Sequence, residues 1–203
     1  MEIRVLLFDL GGVVIDIDFQ RIFAKWSSYC GLPADTIARA FSVDAAYEQH
    51  ERGELSGQDY HLYLQRSIGM ELSYDQFCEG WNDIMIAPFE STISVLEQVK
   101  SRLPVYALSN SNHLHKGHWE SSFPDQMAHF DRVFVSSDLG LRKPDPAIYT
   151  RVLEELDIHP MNVLFFDDLE ANIEAARALG LQTVLVKSPN DIVEALQERS
   201  LLR

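Results

Sequence analysis

Four apolar runs in this chain end on, or lead into, residues that can carry charge or exchange protons. Asp9 closes "VLLFD", Ser109 and Asn110 close "VYALSN", Lys143 follows "VFVSSDLGLR", and Asp167 and Asp168 close "VLFFDD". Taken singly, each has a plain structural reading: an aspartate after a strand caps a helix or begins a turn, and Ser and Asn are ordinary turn formers. Taken together, three carboxylates, a hydroxyl with an amide neighbour and an ammonium follow four different strand-like runs, which favours a reaction centre. Three crowded carboxylates repel one another, and an oxygen-preferring divalent cation offsets that repulsion. A carboxylate can take a phosphoryl group as an aspartyl phosphate and so split hydrolysis into two easier steps. In that chemistry Asp9 is the nucleophile, Mg²⁺ bridges Asp9 and Asp168, and Ser109 and Lys143 hold the phosphoryl oxygens whose charge grows in the transition state. Gly11 and Gly12 in "LLFDLGGVVIDID" leave the backbone clear of side chains beside metal and phosphate.

The elements that must position these residues follow from hydrophobic patterning. Ile3 to Phe8, Leu103 to Ser109, Arg132 to Ser137, Asn162 to Asp167 and Gln182 to Lys187 are continuous apolar runs, the pattern of strands covered on both faces. Helical patterns such as "ESTISVLEQVKSR", "PDPAIYTRVLEELD" and "LEANIEAARALG" lie between the later runs. Strand and helix in alternation predict an α/β fold with a doubly wound, parallel, Rossmann-like sheet. In such a sheet ligands bind beyond the carboxyl ends of the strands, where the candidate residues fall. The interval from Ile17 to Pro88 breaks the rhythm. It contains no convincing strand, and apolar and aromatic residues recur in it at helical spacing. The chain therefore divides into a core of residues 1–16 and 89–203 and a small helical cap of residues 17–88, inserted after the first strand.

"FDLGGVV", "ALSN", "LRKPDPAIY" and "FFDDLEANIEAARALG" resemble, in order, the four motifs of the haloacid dehalogenase-like (HAD) hydrolase superfamily, with the insert in the place of its cap. "DLGGVVIDIDF" and "HERGELS" resemble the branch that holds the glucose-1-phosphate phosphatase-like sugar phosphatases. The resemblance implies a Mg²⁺-dependent phosphatase acting on a small phosphorylated metabolite, such as a hexose 1-phosphate. It implies Asp9 as nucleophile, Ser109, Asn110 and Lys143 as phosphate-binding residues, Asp9, Asp168 and the backbone carbonyl of Gly11 as metal ligands, and Asp167 as a further or water-mediated ligand. One departure matters. The general acid that most phosphatases of the superfamily carry two residues after the nucleophile is replaced by Gly11, and such an acid contributes on the order of a hundredfold or more.

Substrate choice is expected to lie in the cap. His50 and Arg52 in "YEQHERGELS" are the leading candidates, with Asp16, Asp18, Phe19, Trp26 and Tyr47 behind them. His113, His115 and His118 in "SNSNHLHKGHWE" lack a strong zinc spacing and read as a loop bordering the site. Other readings are a 2-haloacid dehalogenase, which uses the same nucleophile without Mg²⁺ and needs no paired acids, a phosphomutase, and a non-catalytic phospho-ligand or partner-binding module.

Composition excludes other partners. A formal charge of -14 opposes nucleic acid, whose affinity comes from Lys and Arg neutralising phosphates. With two cysteines there is no disulfide framework, and the apolar run before Asp9 is too short for a signal peptide or membrane span. The sequence reads as a cytoplasmic protein that binds neither membrane nor nucleic acid.

Overall fold

The computed structural model describes residues 2–202. In chain order the elements are β1 (Val5–Phe8), β2 (Ile15–Ile17), α1 (Phe19–Cys30), α2 (Ala34–Ala40), α3 (Ala45–Glu51), α4 (Gly57–Ile68), α5 (Tyr74–Asn82), β3 (Met85–Pro88) and α6 (Glu90–Val99). Then come β4 (Val105–Ser109), α7 (His113–Ser122), α8 (Pro124–Met127), β5 (Arg132–Val135), α9 (Ser136–Leu139), α10 (Pro146–Glu155), β6 (Val163–Asp167), α11 (Glu170–Ala178), β7 (Gln182–Leu185) and α12 (Pro189–Glu198).

Five strands pair in parallel in the order β5-β4-β1-β6-β7. β1 is central, with Phe8 opposite Ala107 of β4 and Phe166 of β6. Alternate side chains of a strand leave opposite faces. Leu6 and Phe8 therefore enter one core with Val95, Leu96, Ile192 and Leu196 of α6 and α12, while Val5 and Leu7 enter another with Ile148, Tyr149 and Ile173 of α10 and α11. Each fully buried Leu, Ile or Phe of these layers contributes about 1.5–3 kcal/mol relative to exposure. The parallel, doubly covered sheet is the one the continuous apolar runs predict. Because all five strands run the same way, Asp9, Ser109 and Asp167 emerge side by side at one edge.

Helices α1 to α5 carry a third core, built from Ile22, Phe23, Trp26, Tyr60, Leu64, Phe77 and Trp81. Trp26 donates from Nε1 to the Phe77 carbonyl at 3.1 Å and stacks on Phe77 and Trp81. A Cβ on Gly80 would lie 2.2 Å from the Trp26 ring, so only glycine admits this approach. Local signals set the helix ends: Asp18 caps α1 by accepting from Gln20 N, Ser56 caps α4, and Ser73 with Gln76 forms a capping box on α5.

Two expectations need correction. The interval from Ile17 to Pro88 does contain a strand: β3 pairs antiparallel with β2, with a bulge between Asp16 and Ile17, so a two-stranded ribbon forms the stem of the helical insert. The run at Arg132 to Ser137 stops as a strand at Val135 and turns into the single-turn helix α9. Among the described residues no helix is long and apolar enough to cross a membrane.

Candidate active site

β1 carries Asp9 to the sheet edge by continuing its ladder one residue, Asp9 N–H donating to the Phe166 carbonyl at 2.8 Å. The Asp9 carboxylate accepts from Leu10 N at 2.7 Å and lies 3.0 Å from Lys143 Nζ. The same Nζ donates to Asp167 Oδ2 at 2.6 Å, and Lys143 and Asp167 are both fully enclosed. Burial pushes the Asp9 carboxyl up to about 8; Lys143 opposes this and the neighbouring carboxylates add to it. Burial pulls Lys143 down, but Asp9 and Asp167 outweigh it and hold the ammonium above its ordinary value. Asp168 is raised by its partial burial and by Asp167. One oxygen each from Asp9, Asp167 and Asp168 lie within 4.8 Å of one another, an all-oxygen anionic donor set that fits a hard divalent cation. Gly12 makes room for it: φ is +74°, and a Cβ there would stand 2.6 Å from Asp168 Oδ2.

Two polar side chains serve the cluster differently from expectation. The Asn110 side chain is turned to Lys143: its Nδ2 donates to the Lys143 carbonyl and its Oδ1 accepts from Lys143 N, both at 2.8 Å. Its amide is spent on fixing the lysine. Asp167 has both oxygens engaged, Oδ1 by Leu169 N and Asn172 Nδ2 at 2.9 Å each, and Oδ2 by Lys143. A carboxylate so committed orients Lys143, while one of its oxygens still lies within 4.8 Å of oxygens of Asp9 and Asp168. Asn172, buried on the first turn of α11, was not singled out in the sequence; its place five residues after Asp167 in "FFDDLEANIEAA" is the signal that could have found it. Ser109 stands buried at the end of β4 and lines the same cavity as Asp9.

A cavity of about 320 Å³ opens over these groups. Its floor is Asp9, Gly11, Ser109, Asn110 and Asp168, and its wall includes Tyr47 and Glu51 of α3, His115 of α7, and Arg142. Arg142 ties the insert to the sheet, with Nη2 at 2.8 Å from Glu51 Oε2 and Nη1 at 3.0 Å from Glu48 Oε1. Burial raises the Glu51 carboxyl and Arg142 opposes it. Ser136 continues the seam, donating to the Glu51 carbonyl at 2.6 Å and accepting from Ser111 N at 2.8 Å. This long-range seam had no local signature in the sequence.

A family model for haloacid dehalogenase-like hydrolases matches residues 3–180. The chain belongs to the haloacid dehalogenase-like hydrolase family. It is 30% identical over 96% of its length to mouse Acyl-CoA dehydrogenase family member 10, of which it spans only 19%. It is 26% identical over 89% of its length to the D-ribitol-5-phosphate phosphatase of Bacteroides thetaiotaomicron, covering 90% of that protein. Among solved structures, a HAD family enzyme from the same organism, in complex with magnesium and inorganic phosphate, superimposes with a TM-score of 0.81 at 27% identity, over 91% of this chain and 94% of that one.

Within this HAD hydrolase the cap candidates separate. Tyr47 and Phe19 line the cavity. His50 does not: it is buried in the cap, its Nδ1 bonded to the Leu55 carbonyl at 3.0 Å and its ring stacked on Tyr60 at 4.6 Å. Arg52 faces a second depression and pairs with Glu54 at 2.8 Å and Glu48 at 3.6 Å. Neither reaches the cavity over Asp9, because α3 presents Tyr47 and Glu51 to it instead. Trp26 is cap core and Asp18 is a helix cap, while Asp16 sits in the β2–β3 ribbon. The histidine segment is a helix, not a loop: Asn112 caps α7 by accepting from Leu114 N and His115 N. Of its histidines, His115 lines the cavity, with burial lowering its pKa to about 3, so it is neutral; His113 lies 3.6 Å from Asp138 at the surface.

Proposed function

We propose that this HAD hydrolase is a Mg²⁺-dependent phosphatase that hydrolyses a small phosphate monoester through an aspartyl-phosphate intermediate on Asp9. The observation that carries the reading is the Lys143 ammonium, held between Asp9 and Asp167 at the ends of adjacent strands, with Asp168 beside them. The magnesium and phosphate bound by the Bacteroides neighbour support it.

Asp9 and Asp168 with the Gly11 carbonyl would hold the metal, whose positive charge lets an anionic ester approach an anionic nucleophile. Asp9 Oδ attacks phosphorus as the ester oxygen departs with the bonding electrons. Lys143 and the Ser109 hydroxyl hold the phosphoryl oxygens, and Asn110 and Asp167 keep Lys143 in place from its backbone and its ammonium respectively. Water then cleaves the acyl phosphate and regenerates the carboxylate. At residue 11 a Cβ would meet Ile17 Cδ1 at 3.1 Å, so the position where the family usually keeps its general acid is packed against an aliphatic side chain.

The test is phosphate release from a panel of monoesters, with and without chelator. Exhaustive chelation is expected to lower the rate by at least roughly a hundredfold, and added Mg²⁺ to restore it. Full activity in the chelated protein would overturn the reading and point to metal-free dehalogenase chemistry on the same nucleophile.

A further inference from the structure

The wall of the cavity above the phosphate-binding floor is aliphatic and aromatic: Ile17 of β2, Phe19 at the start of α1, Val43 between α2 and α3, Ile84 and Met85 at the entry to β3, and Leu169 before α11. Val43 is 59% exposed and Leu169 55%, large apolar side chains left to solvent at the lip of the cavity. Several polar side chains of the wall are turned to protein partners. Glu51 is held by Arg142, the Asn110 amide by the Lys143 backbone, Asn172 by Asp167, and His115 Nδ1 by Asn82 Oδ1 at 3.1 Å. Ser111, the second ring nitrogen of His115, the Tyr47 hydroxyl, Trp119 and the Arg142 guanidinium are polar groups on the other side of the wall, on α3, on and just before α7, and on the segment before α10.

A polyhydroxylated leaving group needs a hydrogen-bonding partner for each hydroxyl it buries. Each one stranded against Ile17, Phe19 or Met85 lowers affinity by about tenfold or more. An alkyl or prenyl chain, in contrast, gains from the same wall with every carbon it buries. From the phosphatase reading above and this aliphatic face, we infer that the substrate is a phosphate monoester of a mainly apolar alcohol, whose hydrocarbon part lies along Ile17, Phe19, Val43, Met85 and Leu169, rather than a sugar or polyol phosphate.

A homologous series isolates this effect, because primary alkyl phosphates share one leaving-group acidity. Phosphate release is measured at saturating Mg²⁺ from ethyl, butyl, hexyl and octyl phosphate and from ribitol 5-phosphate, itself a primary ester. The expected kcat/KM rises about two- to fourfold per methylene, and octyl phosphate exceeds ribitol 5-phosphate by roughly a hundredfold or more. A flat series, or a polyol ester turned over faster than the octyl ester, overturns the apolar assignment while leaving the phosphatase standing. If no ester releases phosphate, the phosphatase reading falls and takes the inference with it. Val43→Asp, at a solvent-exposed position, should lower the octyl-to-ethyl ratio by about tenfold. An unchanged ratio would show that the chain does not lie along this wall.

Discussion

Asp9→Asn is expected to lower phosphatase activity by roughly four orders of magnitude or more while leaving the fold intact. The amide is isosteric with the carboxylate but is not a nucleophile, and it removes one carboxylate from the cluster proposed to hold the metal. The fold should tolerate the change. Burial raises the Asp9 carboxyl to about 8, so near neutral pH the metal-free protein holds it largely protonated and a neutral isostere alters the buried charge little, while Asp167 still pairs with Lys143. Far-UV circular dichroism and thermal unfolding should therefore match the parent while phosphate release disappears. Retention of more than about a hundredth of the parent rate would place the nucleophile elsewhere.

The second large effect belongs to Lys143→Met. Here stability and activity should both fall, for different reasons. Removing the ammonium leaves Asp167 buried without its cation, a change that costs about 3–5 kcal/mol when nothing else compensates. Asp167 keeps the Leu169 N–H and Asn172, which puts the expected loss at the lower end of that range. A domain of ordinary stability, about 5–15 kcal/mol, survives such a loss and stays folded at room temperature. Activity should nevertheless drop about a hundred- to a thousandfold, the range for deleting one preorganised donor to a developing oxyanion. Steady-state kinetics and a denaturant titration on the same preparation separate the two effects. A stability loss with activity above about a tenth of the parent would make Lys143 a structural counter-ion rather than a phosphoryl ligand.

The core was legible in the sequence because its strands are buried on both faces, and continuous apolar runs such as "VLLF" and "VLFF" admit few other readings. Asp9, Ser109 and Asp167 were legible for the same reason, since each is the first polar residue after such a run. The β2–β3 ribbon was not. Its strands have three and four residues, too few to show a period, and a bulge interrupts their register. His50 misled through its charge-bearing neighbourhood: "HERGELS" looks like surface, yet His50 stands three residues after Tyr47 on the same helix and packs on Tyr60. Arg142 went unnoticed beside Lys143 because its partners, Glu48 and Glu51, lie more than ninety residues away in sequence. The Asn110 side chain could not be assigned from its type, since an amide next to a phosphate-binding hydroxyl serves equally to hold a ligand or to hold a lysine.

Passage of phosphate through a covalent bond to Asp9 fixes the stereochemical course at phosphorus. A phosphate ester made chiral by isotopic oxygen substitution is hydrolysed in isotopically labelled water, and the configuration of the released phosphate is read out. Transfer to Asp9 and then to water comprises two in-line displacements, so the predicted result is net retention. Net inversion would mean that water attacks the ester directly and that no phosphoryl-Asp9 forms.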